Sequence, residues 1–327
     1  SLPELAEIAA QNHHIFKELQ YLSNIDYKPI RYISFAHDEE TYKALEASKA
    51  WSKAEMIAPK QFREEISPYF NANPKKYISA LVSEDCWQAT PGKVVDLVRN
   101  LGIAAGGTVM EDCRVLEACR EGKYTSVLVQ THDKKYVEYR TEHFVNALGS
   151  GAGKLCDSMG IDAGLYPVRH QAFITRRLPM LGKHGTNLDM LIDRQDYKGF
   201  SAVYGQQIAY TGQIIGCASP KLDAMRIDKN LKVNTKAFLE IVSEMFSEWI
   251  PDLAGVGIQA VWAGYYTEPR YIVDPELGLF VGMRGHGFML SQYIARMYVD
   301  KLLGRPVPEY FEKLKLNGPG LSEKAFK

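Results

Sequence analysis

Gly278-Leu-Phe-Val-Gly-Met-Arg-Gly-His-Gly-Phe-Met-Leu290 reads as a short apolar strand, a glycine turn and the start of a helix that continues over residues 291–303. Leu290, Ile294, Met297, Tyr298 and Leu302 recur at helical spacing. A strand that ends in glycines at a helix start presents bare backbone N–H groups at the positive end of the helix dipole. Such a place suits a group that is anionic or becomes so during a reaction. Gly285 and Gly287 flank His286, and a backbone without Cβ atoms lets a ligand come close. The same residues also satisfy a packed strand–turn–helix with glycine for turn geometry, so this stretch alone leaves both readings open.

Around it lies a chain of 327 residues, enough for two domains or one discontinuous pair. Its apolar content of 46% permits a sizeable core. Lys plus Arg and Asp plus Glu each number 39, so the formal charge is zero and nothing points to nucleic acid or an anionic membrane as partner. The basic residues form no run that could track a phosphate backbone. No apolar run reaches about 18 residues, so no membrane span is expected. The start has no charged-then-apolar leader pattern, and its lack of Met fits an upstream piece removed. Cys86, Cys113, Cys119, Cys156 and Cys217 are odd in number and widely spaced, with no Cys-x-x-Cys. Zinc and dithiol chemistry are therefore not expected, no metal site is called, and a reducing compartment is.

Periodicity predicts a helix over Leu2–Leu22, a strand over 31–36 and a helix over 38–48 opening on acidic residues. A short helix over 93–101 is followed by strands over 108–118, 126–131 and 136–146 that form a meander. Strands over 168–176, 189–194, 201–205 and 207–218 read as an antiparallel sheet. The helix over 234–249 is amphipathic and ends before Pro251. The tail, 307–327, contains Pro and Lys and is expected to pack loosely.

Several stretches together resemble one family. Besides the turn at 278–290, they are Val261-Trp-Ala-Gly-Tyr-Tyr-Thr-Glu-Pro-Arg-Tyr-Ile-Val-Asp274, Phe144-Val-Asn-Ala-Leu-Gly-Ser-Gly-Ala-Gly-Lys-Leu155 and Tyr166-Pro-Val-Arg-His-Gln-Ala-Phe-Ile174. Asp85-Cys-Trp-Gln-Ala-Thr-Pro-Gly92 with Gly106-Gly-Thr-Val109 adds a turn, helix and strand, and 56–70 resembles a family helix and loop. In this order, over about residues 1 to 303, they resemble the D-amino-acid oxidase type of FAD-dependent oxidoreductases, which includes glycine oxidase, sarcosine oxidase and dye-linked proline and lactate dehydrogenases.

The resemblance implies an α/β (α+β) fold: a Rossmann-like FAD-binding domain and a substrate domain with a mostly antiparallel sheet. The implied division is 1–20, 75–167 and 256–306 for FAD, 21–74 and 168–255 for substrate, and 307–327 as an extension. It implies flavin contacts at Val115, Ala147, Leu148, Gly149, Gly285, His286, Gly287, Phe288 and Met289. For a small carboxylate-bearing substrate it implies Arg270, Tyr266, Arg284, Tyr204 and His170. Ala263 stands nearest to the cysteine that bonds flavin in some sarcosine oxidases, so non-covalent FAD is expected.

One family element is absent from the sequence. No strand–Gly-x-Gly-x-x-Gly–helix occurs, the unit that holds the FAD pyrophosphate. Gly149-Ser-Gly-Ala-Gly-Lys154 is no phosphate loop, because Leu148 and Leu155 occupy the required Gly and Ser/Thr places. The expectation is a βαβ unit supplied by a longer chain, a cleaved but retained piece or a separate chain. Two functions stay open. One is an enzyme oxidising a small amino acid, secondary amine or 2-hydroxy acid by hydride transfer to flavin N5, in the cytoplasm or against a membrane-borne electron acceptor. The other is a non-catalytic, flavoprotein-like subunit or scaffold that has lost its cofactor site.

Overall fold

The computed structural model describes residues 2–51, 53–71, 75–181, 188–195, 200–208, 211–220 and 235–321. The chain divides into two compact units: Ser1–Ile25, Thr90–Pro167 and Tyr266–Lys327 form one, Asp26–Ala89 and Val168–Tyr265 the other.

Elements follow one another as helix α1 (Leu2–Leu22), strand β1 (Lys28–Ala36), α2 (Glu39–Ser48), β2 (Ala54–Ile57), α3 (Phe62–Glu65), β3 (Ser79–Gln88), α4 (Pro91–Ala104), β4 (Arg114–Glu121), β5 (Tyr124–Gln130), β6 (Tyr136–Thr141) and α5 (Ala152–Ser158). Then come β7 (Tyr166–Thr175), β8 (Met190–Asp193), β9 (Phe200–Gln207), β10 (Ile214–Pro220), α6 (Thr235–Trp249), β11 (Ile258–Glu268), β12 (Ile272–Asp274), β13 (Leu279–Val281) and α7 (Gly287–Leu302).

The second unit is built on an eight-stranded sheet in the order β11-β7-β10-β9-β8-β1-β3-β2. Strand pairs β1–β3, β2–β3, β7–β10, β9–β10 and β8–β9 are antiparallel, and β1 with β8 runs parallel. One face receives α6, whose Phe238, Ile241, Val242, Met245, Phe246 and Trp249 are all buried. Gly205 and Gly216 face each other across β9 and β10. A Cβ on Gly216 would sit 2.6 Å from the Phe173 ring, and one on Gly205 would run into Phe246. Bare backbone at this rung lets two phenyl rings press onto the sheet. Phe35 stacks on Phe70 at 5.4 Å, and Trp249 donates Nε1–H to the Tyr77 hydroxyl at 3.0 Å. Beside them His37 Nε2 meets Asp193 at 2.7 Å, so these two buried polar groups are paired.

Among its described residues the first unit has smaller apolar clusters. α1 and α7 pack together through Leu5, Ile8, Leu290 and Ile294. The β12–β13 hairpin joins Ala152 and Cys156 of α5. The meander β4-β5-β6 rests on Leu155. α4 is different: Val94 is its buried residue, while Val95, Val98, Leu101 and Ile103 are exposed.

The helix and loop that 56–70 resembles are present in short form: the single turn α3 is followed by irregular chain, because Pro68 disfavours a helical Ser67 and ends the run. Three expectations are corrected. The strand expected over 108–118 begins only at Arg114, since Asp112 takes a left-handed φ of 53° that breaks an extended run. β3, read as a turn at 85–92, is a full strand as far as Gln88. The tail is not loose as far as residue 321: Tyr310, Phe311, Leu314 and Leu321 are buried, and Lys313 pairs with Glu4, holding that carboxyl down at about 2. Residues 322–327, Asn234 and 209–210, which the tail, helix and strand expectations also included, lie outside the described residues.

Candidate active site

In the first unit, two strand ends carry most of the sequence-named cofactor residues. Asn146 forms a parallel bridge with Leu279: its N–H donates to the Gly278 carbonyl at 2.8 Å, and Phe280 N–H donates to its carbonyl at 3.0 Å. The run 144–148 therefore lies beside β13, pointing the same way. Each then turns into a helix, α5 after Gly149–Gly151 and α7 after Arg284–His286. Ligands of open α/β sheets bind outside the carboxyl ends of such strands. Asn146 is fully buried and ties the first turn, with Nδ2 on the Ala152 carbonyl at 3.0 Å and Oδ1 accepting from Leu148 N–H at 3.2 Å. Ala147, Leu148 and Gly149 are left exposed. Val115 lies on β4 opposite Val129, part-buried against Leu155 and its neighbours.

At the second turn Gly285, Phe288 and Met289 are exposed, and His286 and Gly287 are partly so. No side chain caps the amides at the start of α7. These first N–H groups have no carbonyl one turn back, so they are donors available to an anion. Arg284, φ 52°, is left-handed without being glycine, which costs roughly 1–2 kcal/mol. Its Nε donates to Glu268 at 2.5 Å, and both side chains are mostly buried. A Cβ on Gly285 would sit 2.7 Å from the Tyr266 ring, so that ring lies directly on the turn.

Arg270 is placed elsewhere. Its guanidinium donates to the Gly318 carbonyl at 2.8 Å and to the Leu316 carbonyl, which anchors the tail.

In the second unit, Tyr204 pairs with Cys217, and Cys217 with Ala172 two residues from His170. Alternation along strands puts Tyr204 and His170 on one face, opposite α6. Burial drives the His170 pKa down to about 4, so the imidazole is neutral at pH 7. The same face carries groups that sequence reasoning passed over. Tyr32 is raised to about 12 and Cys217 to about 11, both by burial, and a hydrogen bond from Tyr204 lowers the thiol in part. Gln206 donates to Gln88 at 3.0 Å. The signal was available in part: Tyr204 and Gln206 alternate with buried Val203, Gly205 and Gln207, and Tyr32 precedes buried Ile33.

A family profile described as DAO, FAD dependent oxidoreductase, matches residues 1–301. The chain belongs to this family of FAD-dependent oxidoreductases. FAD is its cofactor, and oxidation–reduction on that cofactor is its class of reaction. Among solved structures, it resembles L-proline dehydrogenase from P. horikoshii at 22% identity and TM-score 0.76, covering 94% of this chain and 81% of that one. Glycine oxidase from Geobacillus kaustophilus matches at 16% identity and TM-score 0.76, over 95% and 81%. FAD-bound L-α-glycerophosphate oxidase from Mycoplasma pneumoniae matches at 15% identity and TM-score 0.71, over 90% and 79%. No match was found among curated proteins.

The DAO fold thus agrees with the mixed α/β architecture and its large, mostly antiparallel sheet. The residues at the two strand ends fit a flavin. They offer exposed backbone, an uncapped helix start, and a turn on which an aromatic ring already occupies the place of a Cβ. No Gly-x-Gly-x-x-Gly occurs among the 327 residues to hold the pyrophosphate. Among the described residues no helix is long and apolar enough to cross a membrane.

Proposed function

We propose that this chain oxidises a small carboxylate-bearing substrate, an amino acid, secondary amine or 2-hydroxy acid, with its FAD held non-covalently. The uncapped turn entering α7 is the observation that carries this reading. When bound, the flavin supplies the hydride acceptor at N5. The amides of Gly287, Phe288 and Met289 would hold the flavin at the start of α7 and would stabilise negative charge on it. Ala147, Leu148 and Gly149 would hold the ribose or pyrophosphate, and Val115 would contribute on the adenine side. Unit one then is the flavin domain and unit two the substrate domain.

Within the first unit we propose Tyr266 as a hydrogen-bond donor to the substrate carboxylate, with Arg284 supplying charge only on leaving Glu268; within the second unit Tyr204 is the candidate donor. Neutral His170 offers a hydrogen bond and shape but no charge. Arg270 would have to leave the carbonyls of residues 316 and 318 to act as a clamp. Ala263 offers no thiol for a covalent bond to flavin. All five cysteines are free, which supports a reducing, cytoplasmic setting.

The exposed apolar side chains of α4 and the uncovered side of 144–148 support a further strand–helix segment packing there, from this polypeptide or another, and carrying the pyrophosphate-binding glycines. Dye reduction by the FAD-loaded protein, tested against amino acids, N-alkyl amino acids and 2-hydroxy acids, is the test. Turnover of one class with loss in Tyr204→Phe is expected. No FAD uptake and no reduction by any class would favour the non-catalytic subunit that has lost its cofactor site; stoichiometric FAD would rule that subunit out.

A further inference from the structure

The first unit holds a cavity of about 250 Å³ between the β4–β5 hairpin turn, the segment after β6, the β12–β13 turn and the last turns of α7. It lies at the other end of the strands from the candidate cofactor turns. Phe144 and Glu276, which line it, precede the Asn146–Leu279 bridge, whereas those turns follow the bridge. Its charges do not cancel. Lys123 pairs with Glu142 at 2.8 Å, and Lys315 meets Glu276 at 2.9 Å. Arg120 has no carboxylate partner among the described residues; it donates to the Glu276 backbone carbonyl instead. One guanidinium charge is left over, with N–H groups beyond the one that this bond uses. Two hydroxyls complete the set. Thr125 and Tyr298 line the cavity, are each 4% exposed, and make no side-chain hydrogen bond to a described residue. A buried hydroxyl without a partner is costly, and a ligand oxygen would remove that cost. Burial, with Asp274 adding and Arg120 subtracting, moves the Tyr298 pKa up to about 12, so the phenol is an O–H donor at pH 7.

We propose that this cavity binds a small organic oxyanion, a carboxylate or phosphate group on a short apolar body, with Arg120, Thr125 and Tyr298 as its donors. A guanidinium and two O–H groups answer a ligand group that only accepts. A cation would find both lining glutamates already paired with lysines. Phe144, Pro275 and Leu302 supply an apolar wall for the body. The volume falls below the roughly 300–1,000 Å³ of drug-sized pockets, which limits that body to one ring or a short chain. The site does not rest on the function proposed above, since it uses none of the residues named there.

The test titrates the full chain, in the presence of FAD, with phenyl phosphate and with phenylacetate by calorimetry. Wild type is compared with Arg120→Gln and Tyr298→Phe. Arg120 is exposed, and Phe keeps the ring that packs on Phe280, so neither change disturbs the core. Saturable wild-type binding of at least one probe in the millimolar range or tighter is expected, weakened at least about tenfold in each variant. Tighter binding of phenyl phosphate identifies phosphate esters as the ligand source, and tighter binding of phenylacetate identifies carboxylic acids. A smaller loss in either variant would place the probe elsewhere and overturn the proposal. Absence of saturable binding of both probes would overturn it on the wild type alone, with no variant needed.

Discussion

Two amphipathic helices of similar length meet opposite fates. α6 lays Phe238, Ile241, Val242, Met245, Phe246 and Trp249 onto the eight-stranded sheet, all buried. α4 carries Val94, Val95, Leu97, Val98, Leu101 and Ile103, yet Val95 is 62% exposed and Val98, Leu101 and Ile103 stand open as well. The second unit closes its core on itself. The first unit leaves these apolar side chains of α4 uncovered. Contiguous apolar surface of this kind marks a place of interaction rather than a packing error.

The contrast can be broken most sharply in the closed core. Trp249→Ala removes a fully buried indole and the donor to the Tyr77 hydroxyl. It should cost about 3–5 kcal/mol in denaturant unfolding. A loss below about 1 kcal/mol would mean that this core is no tighter than the other unit's surface.

A second probe uses pH. His170 has a folded pKa of about 4 against the ordinary value of 6.5. Between these values the unfolded chain binds more protons, so the stabilisation is fully present above about pH 6.5 and fades as pH falls toward 4. Its size is up to about 3 kcal/mol from the shift alone. His170→Gln should flatten that part of the stability–pH curve; an unchanged slope would place the titration elsewhere.

The smallest effect is expected on α4. Val98→Ala should change stability by less than about 0.5 kcal/mol, because little is buried there to lose. A cost near that of a core truncation would show that a covering segment is present in the sample.

Much of this was legible before any coordinates. α1 coincides with its predicted span because Leu5, Ile8, Phe16 and Leu19 mark one face. The strand–turn–helix at 278–302 followed from glycine placement and a clean helical period. β3 was missed because its second half, Glu84 to Gln88, is polar and only partly covered, whereas its first half is buried. The tail misled because Pro and Lys hid Tyr310, Phe311 and Leu314, which pack against α1 and the hairpin. At the site, Glu268 with Arg284 and Tyr271 with His286 join residues 16 and 15 apart through the β12–β13 register, which no local pattern encodes. The placement of Arg270 on tail carbonyls was invisible for the same reason.

The central claim is that the turn entering α7 receives the flavin ring. Titrating the purified protein with FAD and following visible absorbance, for wild type and Gly285→Val side by side, tests it most directly. A Cβ at this position collides with the Tyr266 ring, and a branched side chain also fills the approach to the turn. The account predicts one equivalent of FAD taken up by the wild type and at least about tenfold weaker binding by the variant, a loss of ~1.4 kcal/mol or more. Equal binding by both proteins would contradict it.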